Sequence, residues 1–178
     1  MKSKRAAAIA FLLFLLVGCV GIPSGLEPVS SFDVDRYVGT WYEIARLDHS
    51  FERGLSNVYA HYSLRDDGGI RVVNSGYNKE SGEWKEIEGR GYFLGHKSVG
   101  SLKVAFFWPF YGGYHIIALD KENYTHAMVV GPSRSYLWIL SRERSLDEQI
   151  LTDLVAKARQ HGFETEKLIY VAHDQPAK

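Results

Sequence analysis

The feature that most constrains the fold is a series of eight segments between Gly39 and Arg142 that are rich in β-forming residues. Apolar and polar side chains mostly alternate within them, and short turn sequences such as Asp66-Asp67-Gly68-Gly69 separate them. The predicted strands are 40–47, 57–66, 69–78, 84–94, 101–107, 113–120, 124–131 and 135–142. Eight strands at regular spacing with short connections predict an antiparallel meander, either a sandwich or an up-and-down barrel.

One amphipathic helix follows the strands. The sequence Ser145-Leu146-Asp147-Glu148 has the form of a capping box with Ser145 as the N-cap, and Gly162 suits the C-terminal cap. The apolar stripe between the caps consists of Leu146, Ile150, Leu151, Leu154, Val155 and Ala158. We expect the helix to pack on the outside of the sheet, with a short final strand over 168–171.

The N-terminus has the pattern of a secretion signal. Three basic residues precede an apolar run from Ala6 to Val17, which at about 12 residues is shorter than the roughly 20 that span a bilayer. Leu16-Val17-Gly18-Cys19 resembles the lipobox of bacterial lipoproteins, which implies cleavage before Cys19 and lipidation of that residue. The same resemblance implies sorting to the outer membrane, because Val20 rather than Asp follows. An ordinary signal peptide with a chance cysteine is the alternative.

These signals divide the chain into four parts. We predict a signal peptide over 1–18, a flexible lipidated tether over 19–31, a folded domain over 32–172 and a tail over 173–178.

Charge and the scatter of reactive residues exclude several functions. The 178 residues hold 21 basic and 21 acidic side chains, whereas a nucleic-acid partner requires a basic excess. Three of the basic residues lie in 1–18, so the chain from Cys19 onward has a small acidic excess, which argues against electrostatic docking on anionic lipid. The seven histidines form no metal-binding pattern, and no nucleophile motif is present. We therefore predict no catalytic residue, no metal and no cofactor.

The first predicted strand carries the motif Gly39-Thr40-Trp41-Tyr42, which continues Glu43-Ile44-Ala45-Arg46, and Arg142 closes the eighth strand. This ordered set resembles the lipocalin family, and with 51–54 (Phe-Glu-Arg-Gly) and 112–114 (Gly-Gly-Tyr) it resembles its bacterial members in particular. Segment 120–124 departs from the family's Thr-Asp-Tyr motif. The resemblance implies an all-β fold, an eight-stranded antiparallel up-and-down barrel with one C-terminal helix outside. Gly39, Trp41 and Arg142 are then structural: Trp41 plugs the closed end, and Arg142 lies across its indole as a cation–π partner.

Strand alternation and the family's register together predict the lining of the barrel. If Arg142 points inward, Trp138 and Tyr136 do so too. The complete predicted ligand-binding lining is Ala60, Tyr62, Val72, Asn74, Val104, Phe106, Tyr114, Ile116, Met128, Val130, Tyr136 and Trp138. This apolar wall with a few hydroxyls suits an acyl chain. A barrel filled by its own side chains is the alternative.

The open end, or mouth, of such a barrel holds loop one (48–56) and loops three, five and seven. Loop five, 107–112, is a run of aromatics around Pro109, and its alternatives are buried packing, a pocket rim, a dimer surface or a lip that touches a membrane. Arg53 and Arg134 lie in mouth loops, either as solvated charges or as partners of an anionic head group.

The resemblance implies a binding protein rather than an enzyme. We expect it to be lipid-anchored at the periplasmic face of the bacterial outer membrane and to hold a fatty acid or lysophospholipid. Its role would be lipid storage, transport or membrane maintenance under envelope stress. The resemblance also allows a homodimer. A lipid-modifying enzyme on the same fold and a structural envelope lipoprotein with a filled barrel are the alternatives.

Overall fold

The computed structural model describes residues 20–175, and Cys19 lies outside them. A short helix α1 (Val34–Tyr37) precedes the sheet, helix α2 (Glu148–Gln160) follows it, and a 3-10 turn (Thr165–Lys167) leads to the last strand. The strands are β1 Gly39–Arg46, β2 Leu55–Leu64, β3 Ile70–Asn78, β4 Glu83–Phe93, β5 Ser101–Phe107, β6 Phe110–Leu119, β7 His126–Val130, β8 Leu137–Ser141 and β9 Ile169–Tyr170.

Strands β1 to β8 form a closed antiparallel barrel. Each strand pairs with the next, and β1 pairs with both β2 and β8, which closes the sheet on itself. The predicted up-and-down barrel with one helix outside and a short final strand is confirmed. Strand β6 begins three residues earlier than predicted, because Phe107 pairs with Phe110 in a tight hairpin.

Strand β1 changes partners along its length. Its first half, up to Tyr42, pairs with β2, and its second half pairs with β8. The pairing register shifts between Glu43 and Ala45, and beyond this bulge β9 pairs with β1 on the side away from β8. The bulge places Ile44 and Ala45 in the outer apolar layer, so Arg46 returns to the interior.

Two apolar clusters fill the molecule, one on each face of the sheet. The inner cluster lies within the barrel, and its buried members are Phe32, Tyr37, Trp41, Tyr62, Ile70, Val72, Leu102, Ile116, Tyr124, Ala127, Val129 and Leu140. The outer cluster lies between the sheet and α2, and it includes Ile44, Ala45, Leu47, Met128, Val130, Leu137, Ile139, Leu154 and Ala158. The helix therefore covers the outward apolar side chains of neighbouring strands.

Helix α2 begins two residues later than its capping box predicts. The N-cap is Asp147, not Ser145, because the Asp147 carboxylate accepts the backbone N–H groups of Gln149 and Ile150. The carbonyl of Ser145 instead accepts the hydroxyl of Ser141. Gly162, at φ +79°, follows the helix and allows the N–H of the next residue to reach back to a helix carbonyl. Within residues 20–175 no helix is both long and apolar enough to cross a membrane.

The segment before the barrel differs from the predicted flexible tether. Residues 20–31 pack along the outside of the barrel: Leu26 is buried in the outer cluster, and Val29 exchanges backbone hydrogen bonds with Gly100 and Ile116. The Arg134 guanidinium donates to the carbonyl of Ser24. The apolar residues of this segment bind it to the wall of the barrel. The sequence prediction of a flexible tether rested on the Pro and Gly residues and did not take these apolar contacts into account.

Candidate functional site

The closed end of the barrel is sealed by Trp41 and Arg142. Trp41 is fully buried, and its indole N–H donates to the carbonyl of Tyr37 at 2.7 Å. The Arg142 guanidinium carbon lies 4.0 Å from the centre of the Trp41 ring, and its nitrogens donate to the carbonyls of Arg36, Tyr37, Thr40 and Tyr124. Gly39 has a φ of +100°, and a Cβ there would lie 3.1 Å from an Arg142 nitrogen. These residues form the floor of the lumen.

Three tyrosine hydroxyls meet above this floor. The Tyr114 hydroxyl lies 2.7 Å from that of Tyr37 and 3.0 Å from that of Tyr62. Burial raises the pKa of all three phenols, so they stay neutral. The group supplies polar atoms inside an otherwise apolar space without introducing charge.

Inward-facing side chains are more exposed toward the open end. Tyr62, Val72 and Ile116, in the half of the barrel near the floor, are buried. The predicted lining residues nearer the mouth are only half-buried: Ala60, Asn74, Val104, Phe106, Tyr136 and Trp138. Four of them, Ala60, Val104, Phe106 and Trp138, pack against the inner cluster, whereas Tyr136 stacks on Trp138. The amide oxygen of Asn74 is buried and has no hydrogen-bond partner among the described residues.

Two of the predicted lining residues face the other way. Met128 and Val130 are fully buried in the outer cluster beneath α2, while Ala127 and Val129 belong to the inner cluster. The inward orientation predicted for Met128 and Val130 is wrong by one residue of register. Strand β6 has a register shift between Ile116 and Ala118, opposite β7, and a one-residue slip exchanges the faces of a strand.

A buried polar cluster that the sequence did not predict lies in the interior beneath the mouth. An Arg46 nitrogen donates to the Glu43 carboxylate at 2.6 Å, and another donates to the carbonyls of Glu52 and Leu55. The indole N–H of Trp138 donates to the Glu52 carboxylate at 3.2 Å. The cluster thus fixes loop one, which contains Glu52, to strands β1 and β8.

One guanidinium faces two carboxyl groups in this cluster. Burial raises the pKa of the Glu43 carboxyl well above its ordinary value, the Glu52 charge adds to the rise, and Arg46 opposes it. Burial also raises the pKa of Glu52, against the hydrogen bond from Trp138 and the charge of Arg46. Both carboxyl groups therefore hold a proton more strongly here than in water, because burial disfavours two negative charges beside one guanidinium.

His49 completes the cluster on its outer side. Its ring stacks on Phe51 with centroids 4.2 Å apart and lies 4.9 Å from Trp138. Burial, together with the charge of Arg46, lowers the pKa of His49 to about 4, so its imidazole is neutral at pH 7. Within residues 20–175 no group of three His, Cys, Asp or Glu side chains is arranged to hold a metal ion.

Part of this cluster had a signal in the sequence. Glu43 lies two residues after Trp41, so simple alternation places its carboxylate inside the barrel. Arg46 gave no such signal, because alternation alone turns it outward and only the bulge in β1 returns it to the interior. Glu52 and His49 lie in a loop, where no periodicity assigns a direction.

The mouth loops place the two predicted arginines differently. Arg53 forms an exposed ion pair with Asp48, whereas Arg134 donates to the carbonyls of His161 and Ser24 and so holds the N-terminal segment and the end of α2 together.

Outside the barrel, α2 borders two grooves of about 460 and 380 Å³.

A closed eight-stranded antiparallel barrel around an apolar inner cluster, sealed at one end by Trp41 and Arg142, is an architecture that small-ligand carriers use. A family model described as a lipocalin-like domain matches residues 32–173. This chain belongs to the lipocalin family, and the resemblance in its sequence is confirmed.

Individual relatives are similar over nearly the whole chain. Outer membrane lipoprotein Blc of Citrobacter freundii is 55% identical over 173 residues, which cover 96% of this chain and 97% of that protein. The protein of the same name in Vibrio cholerae is 52% identical over 167 residues, with 94% and 98% coverage. The solved structure of insecticyanin from the tobacco hornworm Manduca sexta matches with a TM-score of 0.66 at 21% identity, covering 86% of this chain and 87% of that chain. At that identity it shows the fold alone.

Proposed function

We propose that this protein is a lipid-binding lipoprotein of the bacterial outer membrane, anchored through Cys19 and exposed to the periplasm. The lipobox around Cys19 supports the anchor, and relatives more than half identical carry the name outer membrane lipoprotein. The barrel holds one fatty acid or lysophospholipid, for lipid storage, transport or membrane maintenance under envelope stress.

The observation that carries the proposal is the gradient of exposure inside the barrel. Below, Trp41 and its neighbours form a sealed floor, and above, inward-facing residues such as Val104 and Phe106 are only half-buried. A barrel filled by its own side chains would bury them. An acyl chain that covers this wall gains about 0.8 kcal/mol for each CH₂ removed from water.

Polar atoms are available for the polar end of such a ligand. The amide oxygen of Asn74 on β3 has no partner among the described residues, and the Tyr114 side chain on β6 packs against the inner cluster. Both are neutral groups, so they orient a head group by hydrogen bonds rather than by charge.

A pair of aspartate substitutions on neighbouring residues of β5 tests the proposal. Val104 faces the lumen and Lys103 faces outward. We expect Val104→Asp to weaken binding of a fluorescent fatty acid at least tenfold, because the new carboxylate loses its hydration when an acyl chain covers it. Lys103→Asp is the matched control and keeps the affinity. Equal affinity in both folded variants, with thermal unfolding measured in parallel, would refute binding in the lumen.

Native mass spectrometry separates this proposal from its rivals. We expect the purified protein to carry one lipid, which an added fatty acid replaces. A barrel that holds no lipid and takes up none supports the structural lipoprotein, and steady conversion of an added lysophospholipid supports an enzyme.

A further inference from the structure

Four large aromatic side chains project into solvent at the open end of the barrel. We call Phe51, Phe107, Trp108 and Phe110 the aromatic rim; their exposed fractions are 57%, 71%, 80% and 73%. Three of them form the β5–β6 hairpin, and Phe51 lies in loop one, which the up-and-down topology places at the same end. Exposed apolar groups of this size mark a contact surface.

The tip of the hairpin has no charged side chain that would oppose an apolar partner, and the nearest one, Lys103, lies over the Tyr111 ring. No Asp, Glu, Lys or Arg occurs between Lys103 and Asp120. Tryptophan and other aromatic side chains favour the boundary between bilayer and water, where an apolar ring meets polar head groups. The rim therefore has the chemistry of an interfacial membrane contact.

The start of the described chain lies on the same strand as the rim. The carbonyl oxygen of Val20 lies 3.0 Å from the position that a Cβ on Gly113 would take. Gly113 is three residues from Phe110 along β6, which is about 10 Å. The closed end of β6, at Leu119, is six residues away in the other direction, or about 20 Å.

The segment that follows Val20 has little slack. Its backbone bonds to the barrel at Val29, its Leu26 side chain is buried, and Arg134 holds Ser24. Cys19 precedes Val20 directly, and one residue adds at most about 3.8 Å of reach. Acyl chains on Cys19 therefore enter the bilayer within a short distance of the aromatic rim.

We propose that the aromatic rim inserts into the interfacial region of the phospholipid bilayer to which Cys19 is anchored, so that the open mouth of the barrel faces that bilayer. The anchor at Cys19 is part of the proposed function, and this inference rests on it. Amphipathic elements bury their apolar faces about 5–10 Å into this region, which matches the height of the hairpin tip above Gly113. A ligand then passes between bilayer and lumen without crossing open water.

Other contacts fit the placement less well. Electrostatic docking on anionic lipid is disfavoured by the acidic excess of the chain after residue 18. If the closed end faced the membrane, Cys19 would have to reach the bilayer from the opposite end of the barrel. The segment after Cys19 would then have to leave the wall and break the hydrogen bonds of Val29 to Gly100 and Ile116. A second copy of this chain that covers the rim would shield Trp108 from lipid, which the quenching measurement distinguishes from membrane contact.

Quenching of tryptophan fluorescence by brominated lipids tests the proposal. The full-length lipidated protein is reconstituted into vesicles of phosphatidylethanolamine and phosphatidylglycerol that contain a phospholipid brominated along its acyl chains. We expect quenching of the wild type, and Trp108→Phe should remove at least half of the quenched fraction while it preserves an aromatic side chain in the rim. Trp41→Phe, at the closed end of the barrel, is the control in protein whose folding is checked by thermal unfolding, and it should leave the quenched fraction nearly unchanged.

Each outcome decides the matter. Protein that floats with the vesicles and binds fatty acid, but whose quenching Trp108→Phe does not reduce, overturns the rim contact and leaves the proposed function intact. Protein that does not float disproves the anchor and, with it, the orientation. A dimer that shields Trp108 from brominated lipid, and that dissociates in Phe107→Ser, assigns the rim to a second copy and overturns the proposal.

Discussion

At the scale of single residues, the interior combines apolar burial with a costly set of charges. Arg46 is 2% exposed, and its Nε atom has no hydrogen-bond partner within residues 20–175. Removal of one partner from a buried ion pair costs several kcal/mol, because the other charge stays behind without compensation. The hydrogen bonds from Arg46 and Trp138 to Glu52 hold loop one in a defined position at the edge of the lumen. This fixed position is the structural result of burying the charged cluster.

His49 makes the stability of the fold depend on pH in a defined window. Its pKa is about 4 in the folded protein and 6.5 ordinarily, so the unfolded chain binds a proton between these values and the folded chain does not. The resulting penalty is absent above pH 6.5 and grows as the pH falls toward 4, to about 3 kcal/mol. We expect His49→Phe, which keeps a ring against Phe51 and Trp138, to lose less stability than the wild type between pH 7 and pH 4.5.

Denaturant unfolding at both pH values measures this difference. Glu43 and Glu52 titrate in both proteins with pKa values raised in the fold, so their stabilising contribution at low pH largely cancels in the comparison. His96→Phe, at an exposed position, is the control and should keep the pH dependence of the wild type. An identical dependence in His49→Phe would show that His49 takes up a proton without penalty.

At the scale of elements, the sequence was informative wherever a strand has one polar face. The eight strands were predictable because β2, β3 and β4 alternate and because turns such as 66–69 separate them. After His126, strand β7 reads Ala-Met-Val-Val and is buried on both sides, so alternation does not indicate which residues face inward. The bulge in β1 and the packed segment 20–31 depend on tertiary contacts that no local pattern records.

Because Met128 of β7 faces the outer cluster and not the lumen, substitutions at Met128 and Val104 should affect stability and ligand binding separately. Met128 is fully buried beneath α2, so Met128→Ala leaves a cavity in the outer cluster and should cost about 2–5 kcal/mol of unfolding free energy. Its affinity for a fatty acid should not change, because the side chain does not reach the lumen. Val104→Ala should show the reverse, with a small loss of stability and severalfold weaker binding. Weaker binding by folded Met128→Ala, measured by fluorescent titration, would return Met128 to the lining.

At the scale of the whole molecule, the features connected with lipid lie at one end. Four features belong to the half of the barrel above Tyr114. They are the half-buried part of the lining, the buried polar cluster beneath loop one, the aromatic rim and the start of the described chain. The other end is closed by Trp41 and Arg142. In the proposed function this distribution also orients the barrel, because an anchor next to the mouth holds the lumen against the bilayer that supplies the ligand.

This coupling depends on the short connection between Cys19 and the wall of β6, and lengthening it should separate attachment from orientation. A 12-residue Gly-Ser linker between Cys19 and Val20 has a root-mean-square span of about 20 Å, enough to let the barrel turn away from the bilayer. We expect the variant to float with vesicles and to bind dissolved fatty acid as the wild type does. Its Trp108 quenching and its rate of fatty-acid uptake from vesicles should both fall severalfold, because the rim then reaches the bilayer only part of the time. The same linker after Gln175 should change neither quantity, and unchanged uptake with the N-terminal linker would contradict the role assigned to the short connection.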